Sequence, residues 1–407
     1  MSLNSTPSSE RIHIAFFGRR NAGKSSVMNR VIAQDLSIVS SQKGTTTDPV
    51  RKSMELLPLG PVVMIDTPGF DDEGDLGSLR VGKAMKELVK ADAAVVVLDG
   101  TEALSGDSID FISKIEGMNL PFVLCINKSD LPRHSKLDRQ LKAFKRATIV
   151  SCSAVTGDGI DELKRKIAEV IGTTEEKPIV RDLFYPGDYV LLVIPIDKAA
   201  PKGRLILPQQ QTIRDVLDGG GRVVICNEKE VGSVIDEMKV KPALVITDSQ
   251  AFAIVSENVP ESIPMTSFSI LFARYKGNLE WAVKGVSVLR RLNGGEKILI
   301  SEGCTHHRQC GDIGSVKIPA WIKKTTGKDF VFQFSSGSSF PEDLSEYGLI
   351  IHCGGCMLTE REMIRRYREA ESENRAITNY GILIAYMHGI LERSVSLFPE
   401  VLAYLQR

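Results

Sequence analysis

The chain has 407 residues, 43% of them apolar and 25% charged, with 51 acidic and 51 basic side chains. That length exceeds one ordinary core and predicts roughly two to four folded domains, and the balanced charge gives no reason to expect nucleic acid or an anionic membrane as partner. The polar start MSLNSTPSSE lacks an apolar stretch able to act as a secretory signal, and the most apolar late run, Tyr380–Leu391, is far shorter than the about 20 residues a membrane span needs. Seven unevenly spaced cysteines without such a signal favour a reducing, cytoplasmic setting.

RIHIAFFGRRNAGKSS predicts a buried strand (Ile12–Phe17), then Gly18-x-x-x-x-Gly23-Lys24-Ser25, then a helix. This is a phosphate-binding loop in its required strand–loop–helix context. The glycines let successive N–H groups, with Ala22 and Ser26 beside them, turn toward a β-phosphate; Lys24 adds a point charge and the Ser25 hydroxyl can ligate Mg²⁺. VVMIDTPG is a strand ending at Asp66, placed to hold Mg²⁺ through water, with the Gly69 N–H available for a γ-phosphate. AAVVVLDG (Ala93–Gly100) is a further apolar strand, and FVLCINKSD runs into Asn127-Lys128-x-Asp130. One carboxylate there can accept from guanine N1–H and the 2-amino group, which adenine lacks. SCSAVTG offers Ser153 and Ala154 for the guanine O6. Together these motifs predict a P-loop GTPase domain over 1–175.

The segment resembles the tRNA-modification and ribosome-assembly branch of these GTPases. That likeness makes Gly44-Thr45-Thr46-Thr47-Asp48 a switch segment with Thr46 on Mg²⁺, and Asn21 the residue that helps bind K⁺. Phe70 stands where Ras-like proteins place the water-orienting glutamine. Slow intrinsic hydrolysis, faster in K⁺ than in Na⁺, is the expectation, since a cation along the phosphates can offset developing charge.

GTTEEKPIVRDLFYPGD follows a helix around Asp161–Val170 and reads as a domain boundary. Beyond it, strands (YVLLVIPI, GRVVICN, PALVITD) alternate with helices near Gln211–Leu217 and Glu230–Lys239, another α/β layer over 176–275. Gly219-Gly220-Gly221 lacks a GxGxxG spacing and reads as a turn; Cys125, Cys152 and Cys226 sit in apolar strands as small core residues. With no catalytic constellation, this segment reads as a scaffold.

A third α/β domain, 276–407, opens with the helical run LEWAVKGVSVLRRL, then the strand KILISE, ending at Gly303-Cys304-Thr305-His306-His307. FVFQFSS and GLIIH are strands, the latter ending at Cys353-Gly354-Gly355-Cys356. Both cysteine loops therefore follow carboxyl ends of apolar, parallel-type strands, the edge where sites collect in open sheets. Thr359-x-x-Glu362 reads as a capping box starting a helix whose positive end lies near the thiols. Cys304, Cys353 and Cys356 with His306 or His352 would make a closed zinc site, or with one weak position a four-iron cluster; spacing leaves these equal. Cys310 reads as a free thiol and His307 as a surface histidine.

The combination GRRNAGKSS, GTTTD, DTPG, NKSD, CTH and HCGGC resembles, over the whole chain, the iron-iron hydrogenase maturation GTPases. The resemblance implies a homodimer with a central dimerisation domain, and a 4Fe-4S cluster on Cys304, Cys353 and Cys356 with a labile fourth position. His306 and His352 become candidates for a nearby or occasional fourth ligand. It further implies a scaffold and carrier for the hydrogenase two-iron subcluster, with apo-FeFe-hydrogenase and two radical-enzyme maturases as partners, and no nucleic acid or membrane. The rival readings are an RNA- or ribosome-associated GTPase with a structural zinc module, a metal-transporter component, and a GTPase whose cysteines only staple the fold.

Overall fold

The computed structural model describes residues 8–33, 40–42, 49–70, 75–172, 177–196, 205–303, 312–337 and 339–405. They form two compact units, Met1–Glu175 and Glu176–Arg407. In the first, β1 (Ile12–Phe17), β2 (Ser40–Gln42), β3 (Val50–Leu56), β4 (Gly60–Asp66), β5 (Ala93–Asp99), β6 (Phe122–Asn127) and β7 (Thr148–Ser151) make one sheet in the order β2-β3-β4-β1-β5-β6-β7. The pairs β2/β3 and β3/β4 are antiparallel and the rest parallel. The central strands read as unbroken apolar runs because both faces are covered: Ala15, Phe17, Val96 and Leu124 face one core, Phe16, Val97, Val123 and Cys125 the other. Helices Lys24–Ala33 and Ile160–Ile171 contribute to the second of these cores, and helix Gly106–Gly117 to the first.

The second unit holds two four-stranded, all-parallel sheets. β8 (Tyr189–Val193), β9 (Arg222–Cys226), β10 (Leu244–Thr247) and β11 (Met265–Ser267) lie in the order β11-β10-β8-β9. β12 (Lys297–Glu302), β13 (Val331–Ser336), β14 (Tyr347–His352) and β15 (Ile377–Asn379) lie in the order β13-β12-β14-β15. A single apolar core, from Ile179 to Val401, runs under both sheets. The segments either side of residue 276 thus share one interior.

Both sheets have the same topology, second-first-third-fourth in chain order. The likeness extends to sequence: Thr266–Val283 aligns with Thr378–Val395 with eight identities, among them Ile270/Ile382, Leu271/Leu383, Gly277/Gly389 and Glu280/Glu392. Ser267 and Asn379 each cap the following helix, accepting from Ile270 N and Ile382 N. Gly277 and Gly389 end those helices at φ of 71° and 73°, left-handed conformations that suit glycine. The repeats exchange their next helices: Leu279–Val286 packs on β15 and Leu391–Val395 on β11. Gly285 is required there, since a Cβ would lie 2.0 Å from the Ile377 carbonyl oxygen. Equivalent positions meet where helices Phe268–Tyr275 and Tyr380–Met387 cross, with Gly381 against Ser269. The unit is a duplicated fold with an internal pseudo-twofold relation.

Candidate functional site

At the carboxyl end of β1 the chain turns through Gly18–Gly23 into helix Lys24–Ala33. The loop is closed tightly: a Cβ on Gly18 would lie 2.4 Å from the Val97 carbonyl oxygen, and one on Gly23 2.2 Å from Asn127 Nδ2. Asn21 is left-handed at φ 59°, and Lys24 Nζ donates to the Arg19 carbonyl at 3.4 Å. Ser26 is exposed on the first turn and Ala22 is buried. Asn127 ties two loops together, donating from Nδ2 to the Ala22 carbonyl at 2.9 Å and accepting at Oδ1 from Ala154 N at 3.1 Å. The Ala154 N–H, expected to face the guanine O6, is thus engaged by Asn127. Lys128, also left-handed at φ 62°, pairs with Asp99. Burial works against the Asp99 charge, but Lys128 and Thr101 hold its carboxyl below the usual range. Ser153 Oγ donates to Asp130 Oδ1 at 2.5 Å, fixing the carboxylate expected to read guanine.

Ser25 Oγ donates to Asp66 Oδ2 at 2.5 Å, while Asp66 Oδ1 is buried with no hydrogen-bond partner among the described residues. A hydroxyl beside a carboxylate with an orphaned buried oxygen is a donor set that fits Mg²⁺. Gly69 is buried just beyond. Phe70 is 7% exposed and stacks on Phe111 at 4.4 Å, so the position a water-orienting side chain would take is committed to core. Thr46, with the rest of Gly44–Asp48, lies outside the described residues. Cys125 and Cys152 are fully buried, as expected of core residues, with their sulfurs 3.0 Å apart beneath the base-recognition loops.

The second candidate site lies at the carboxyl edge of β12 and β14. Gly303 N donates to Cys353 Sγ at 3.0 Å and Gly355 N to the same sulfur at 3.4 Å. Gly303 immediately precedes Cys304 in the chain, so β12 and β14 bring the residue before Cys304 against the Cys353 sulfur. Cys304, His306, His307 and Cys310 lie outside the described residues, and among the described residues no three His, Cys, Asp or Glu side chains could hold a metal. Gly355 turns at φ 62°, where a Cβ would lie 2.3 Å from Met363 Sδ. Burial pushes the Cys353 thiol up to about 11 despite its two backbone donors, so it stays protonated at neutral pH until a cation displaces the proton. Two backbone N–H groups aimed at one sulfur suit a cluster-bound thiolate, and on that ground the residues present fit an iron–sulfur group.

His352 is fully buried, and burial together with the Arg366 guanidinium lowers its pKa to about 3. Arg366 Nη1 lies 2.9 Å from His352 Nε2, and His352 Nδ1 lies 2.8 Å from the Cys353 carbonyl. A guanidinium can only donate, so Nε2 accepts and the neutral ring donates from Nδ1. Both ring nitrogens are therefore engaged, and His352 stands beside the cysteines as a neighbour. Thr359 caps helix Glu360–Ser372 as expected, accepting from Glu362 N. The Glu362 carboxylate, however, turns to Arg365 and Arg366 and leaves the capping box half formed, because a buried guanidinium needs a counter-charge more than the helix start needs a second acceptor. Arg366 and Lys276, both buried and unmarked by any motif, are what sequence reading missed; the Glu362/Arg366 spacing of four on a helix was the available signal.

No helix among the described residues is long and apolar enough to cross a membrane. Residues 13–128 match the model of a 50S ribosome-binding GTPase. The tRNA modification GTPase MnmE of Geobacter sulfurreducens is 35% identical over 159 residues, covering 39% of this chain and 34% of that protein. MnmE of Clostridioides difficile is 29% identical over 163 residues, covering 40% and 35%. The match thus spans about a third of these relatives' length. The solved G domain of the T. maritima FeoB iron transporter is 26% identical, covering 40% of this chain and all of that one, with a TM-score of 0.31. Residues 179–277 match the hydrogen maturase F dimerization domain and residues 280–397 the hydrogen maturase F tetramerization domain. With those two domains in sequence behind a GTPase domain, the chain belongs to the hydrogen maturase F family.

Proposed function

We propose that the chain is a GTP-hydrolysing scaffold and carrier that holds a 4Fe-4S cluster on Cys304, Cys353 and Cys356 and delivers the two-iron subcluster to apo-FeFe-hydrogenase, with nucleotide state gating partner association. The observation that carries it is the hydrogen bond from Gly303, next to Cys304, onto the Cys353 sulfur, which supports three thiols converging at one sheet edge. The bound cluster would supply an iron without a strong protein ligand, a docking point for cargo that a closed zinc shell lacks. Cys353 and Cys356 would lend thiolates, Gly303 and Gly355 would donate to sulfur, and the buried strand ends would exclude water. His306 remains the proposed fourth-ligand candidate, with His352 a neighbour.

In the nucleotide site, Gly18, Asn21, Ala22, Gly23, Lys24 and Ser26 would cradle the phosphates, and Ser25, Asp66 and Thr46 would hold Mg²⁺. Gly69 would meet the γ-phosphate, and Asn127, Lys128, Asp130, Ser153 and Ala154 would enclose guanine. With Phe70 in the core, attack would depend on K⁺ near Asn21, making turnover slow and potassium-stimulated. Homodimerisation would use the exposed edge β9, where Ile225 is 48% exposed. The radical-enzyme maturases would be further partners.

Anaerobic reconstitution of the full chain with iron and sulfide tests the reading. Broad absorption near about 400 nm with about four irons per chain supports it; one tightly bound zinc and no colour would replace it with a ribosome- or RNA-associated GTPase carrying a zinc module.

A further inference from the structure

Two fully buried cations flank the segment His352–Cys356, and neither belongs to a recognised motif. Arg366, on helix Glu360–Ser372, donates to Gly337 O at 2.7 Å and to His352 Nε2 at 2.9 Å, and covers the Phe340 ring at 4.9 Å. It thereby ties the end of β13 to the end of β14, and through His352 it fixes the Cys353 carbonyl. Lys276 comes from the other repeat, at the end of helix Phe268–Tyr275. The residue is 2% exposed, and its ammonium donates to Gly355 O at 2.7 Å and Leu358 O at 2.6 Å. The cysteine loop is therefore pinned on both sides, by a guanidinium acting through a histidine and by an ammonium acting on the loop carbonyls.

Burying an ammonium costs several kcal/mol, and a neutral donor could hold the same two carbonyls at lower cost. What the neutral donor lacks is charge. Thiolates and an iron–sulfur cluster bring net negative charge into a dry site, and a fixed cation one loop away offsets it. Resting on the cluster reading above, we propose that Lys276 and Arg366 are positioning residues that preform the loop for an anionic iron–sulfur centre, Lys276 also setting its reduction equilibrium. Lys276 lies in the stretch matched by the dimerization domain, so that domain contributes directly to the cluster loop of the next.

The test reconstitutes the full chain anaerobically with iron and sulfide, for wild type, Lys276→Gln, Lys276→Met, Lys276→Arg and Arg366→Gln. Iron and sulfide content, iron loss to a chelator and the midpoint potential are read. The neutral Lys276 variants are expected to load iron yet shift the equilibrium about tenfold toward the oxidised cluster, about 59 mV for one electron. Lys276→Arg should stay within about twofold of wild type, and Arg366→Gln should lose iron at least about tenfold faster. Wild-type potential and iron retention in a loaded Lys276→Gln or Lys276→Met protein would overturn the proposal while leaving the cluster intact. A wild type that takes up zinc and no iron would overturn the cluster reading itself, whatever the variants do.

Discussion

Glu362→Gln tests the charge network behind the cysteine loop with little change of shape. Glu362 Oε1 accepts from Arg366 Nε at 2.8 Å, and the two side chains are 5% and 1% exposed. Breaking a buried pair by removing one partner costs about 3–5 kcal/mol, because the survivor is left charged in a dry site. Arg366 keeps Gly337 O, His352 and the Phe340 face, so the low end, about 3 kcal/mol, is expected; the Arg365 side chain, 22% exposed, reaches water when its contact is lost and adds only about 1 kcal/mol. For a unit of this size that is about 6–12 °C in melting temperature. Burial opposes ionisation of Glu362, but hydrogen bonds and attraction from Arg365 and Arg366 hold its carboxyl down to about 2. A folded pKa below the unfolded one gives stability that is present above the unfolded value, about 4.3, and lost as pH falls toward 2. Urea unfolding of wild type and Glu362→Gln between pH 7 and 3 should therefore show a gap that is full at neutral pH and narrows below about pH 4.5. A gap under about 1 kcal/mol at pH 7, or one that stays constant to pH 3, would refute the reasoning.

Gly23→Ala should abolish GTP binding by titration calorimetry, since a Cβ would strike Asn127 Nδ2 at 2.2 Å in a φ 89° conformation; binding within about tenfold of wild type would show the loop can yield. Steady-state GTP hydrolysis should run at least about tenfold faster in KCl than in NaCl, and Asn21→Ala should erase the difference; equal wild-type rates in the two salts remove the cation claim. Ile225→Lys at the β9 edge should shift sedimentation toward smaller species at micromolar concentration while leaving nucleotide affinity unchanged, and an unaltered sedimentation profile would place the dimer contact elsewhere.

The nucleotide site was legible because its chemistry is local: loop glycines, Lys24 and Ser25 lie close in sequence, and the central strands β1, β4, β5 and β6 announce themselves as apolar runs covered on both faces. Phe70 was legible as a missing glutamine, but its stacking on Phe111 was not, since those residues meet only through the fold. The parallel strand ends that bring Gly303 to Cys353 could be anticipated from KILISE and GLIIH, each running into cysteines. Lys276 could not, because composition rules place lone lysines on the surface and nothing near it in sequence names a partner; for Arg366 the only local signal was Glu362 one helical turn before it. The repeat went unread, because its identities are confined to Thr266–Val283 and Thr378–Val395 and the strands before those points share too little to flag it; one interior under two sheets emerges only in the fold.

The duplication also says why the cysteines sit where they do. The third strand of each repeat ends against its fourth in the same way, Thr247 beside Ser267 and His352 beside Asn379. After Thr247 the first copy continues Asp248-Ser249-Gln250, with Asp248 capping a short helical turn and Gln250 accepting from Lys317 of the second copy. After His352 the second copy continues Cys353-Gly354-Gly355-Cys356, with Gly355 accepting from Lys276 of the first. The same parallel scaffold thus carries ordinary turn chemistry at one edge and thiols at the other, and each copy sends a lysine to the other's loop. A site built this way needs the copy whose loop bears no thiols as much as the copy whose loop does: it supplies the buried charge, and the shared core keeps that charge from drifting away.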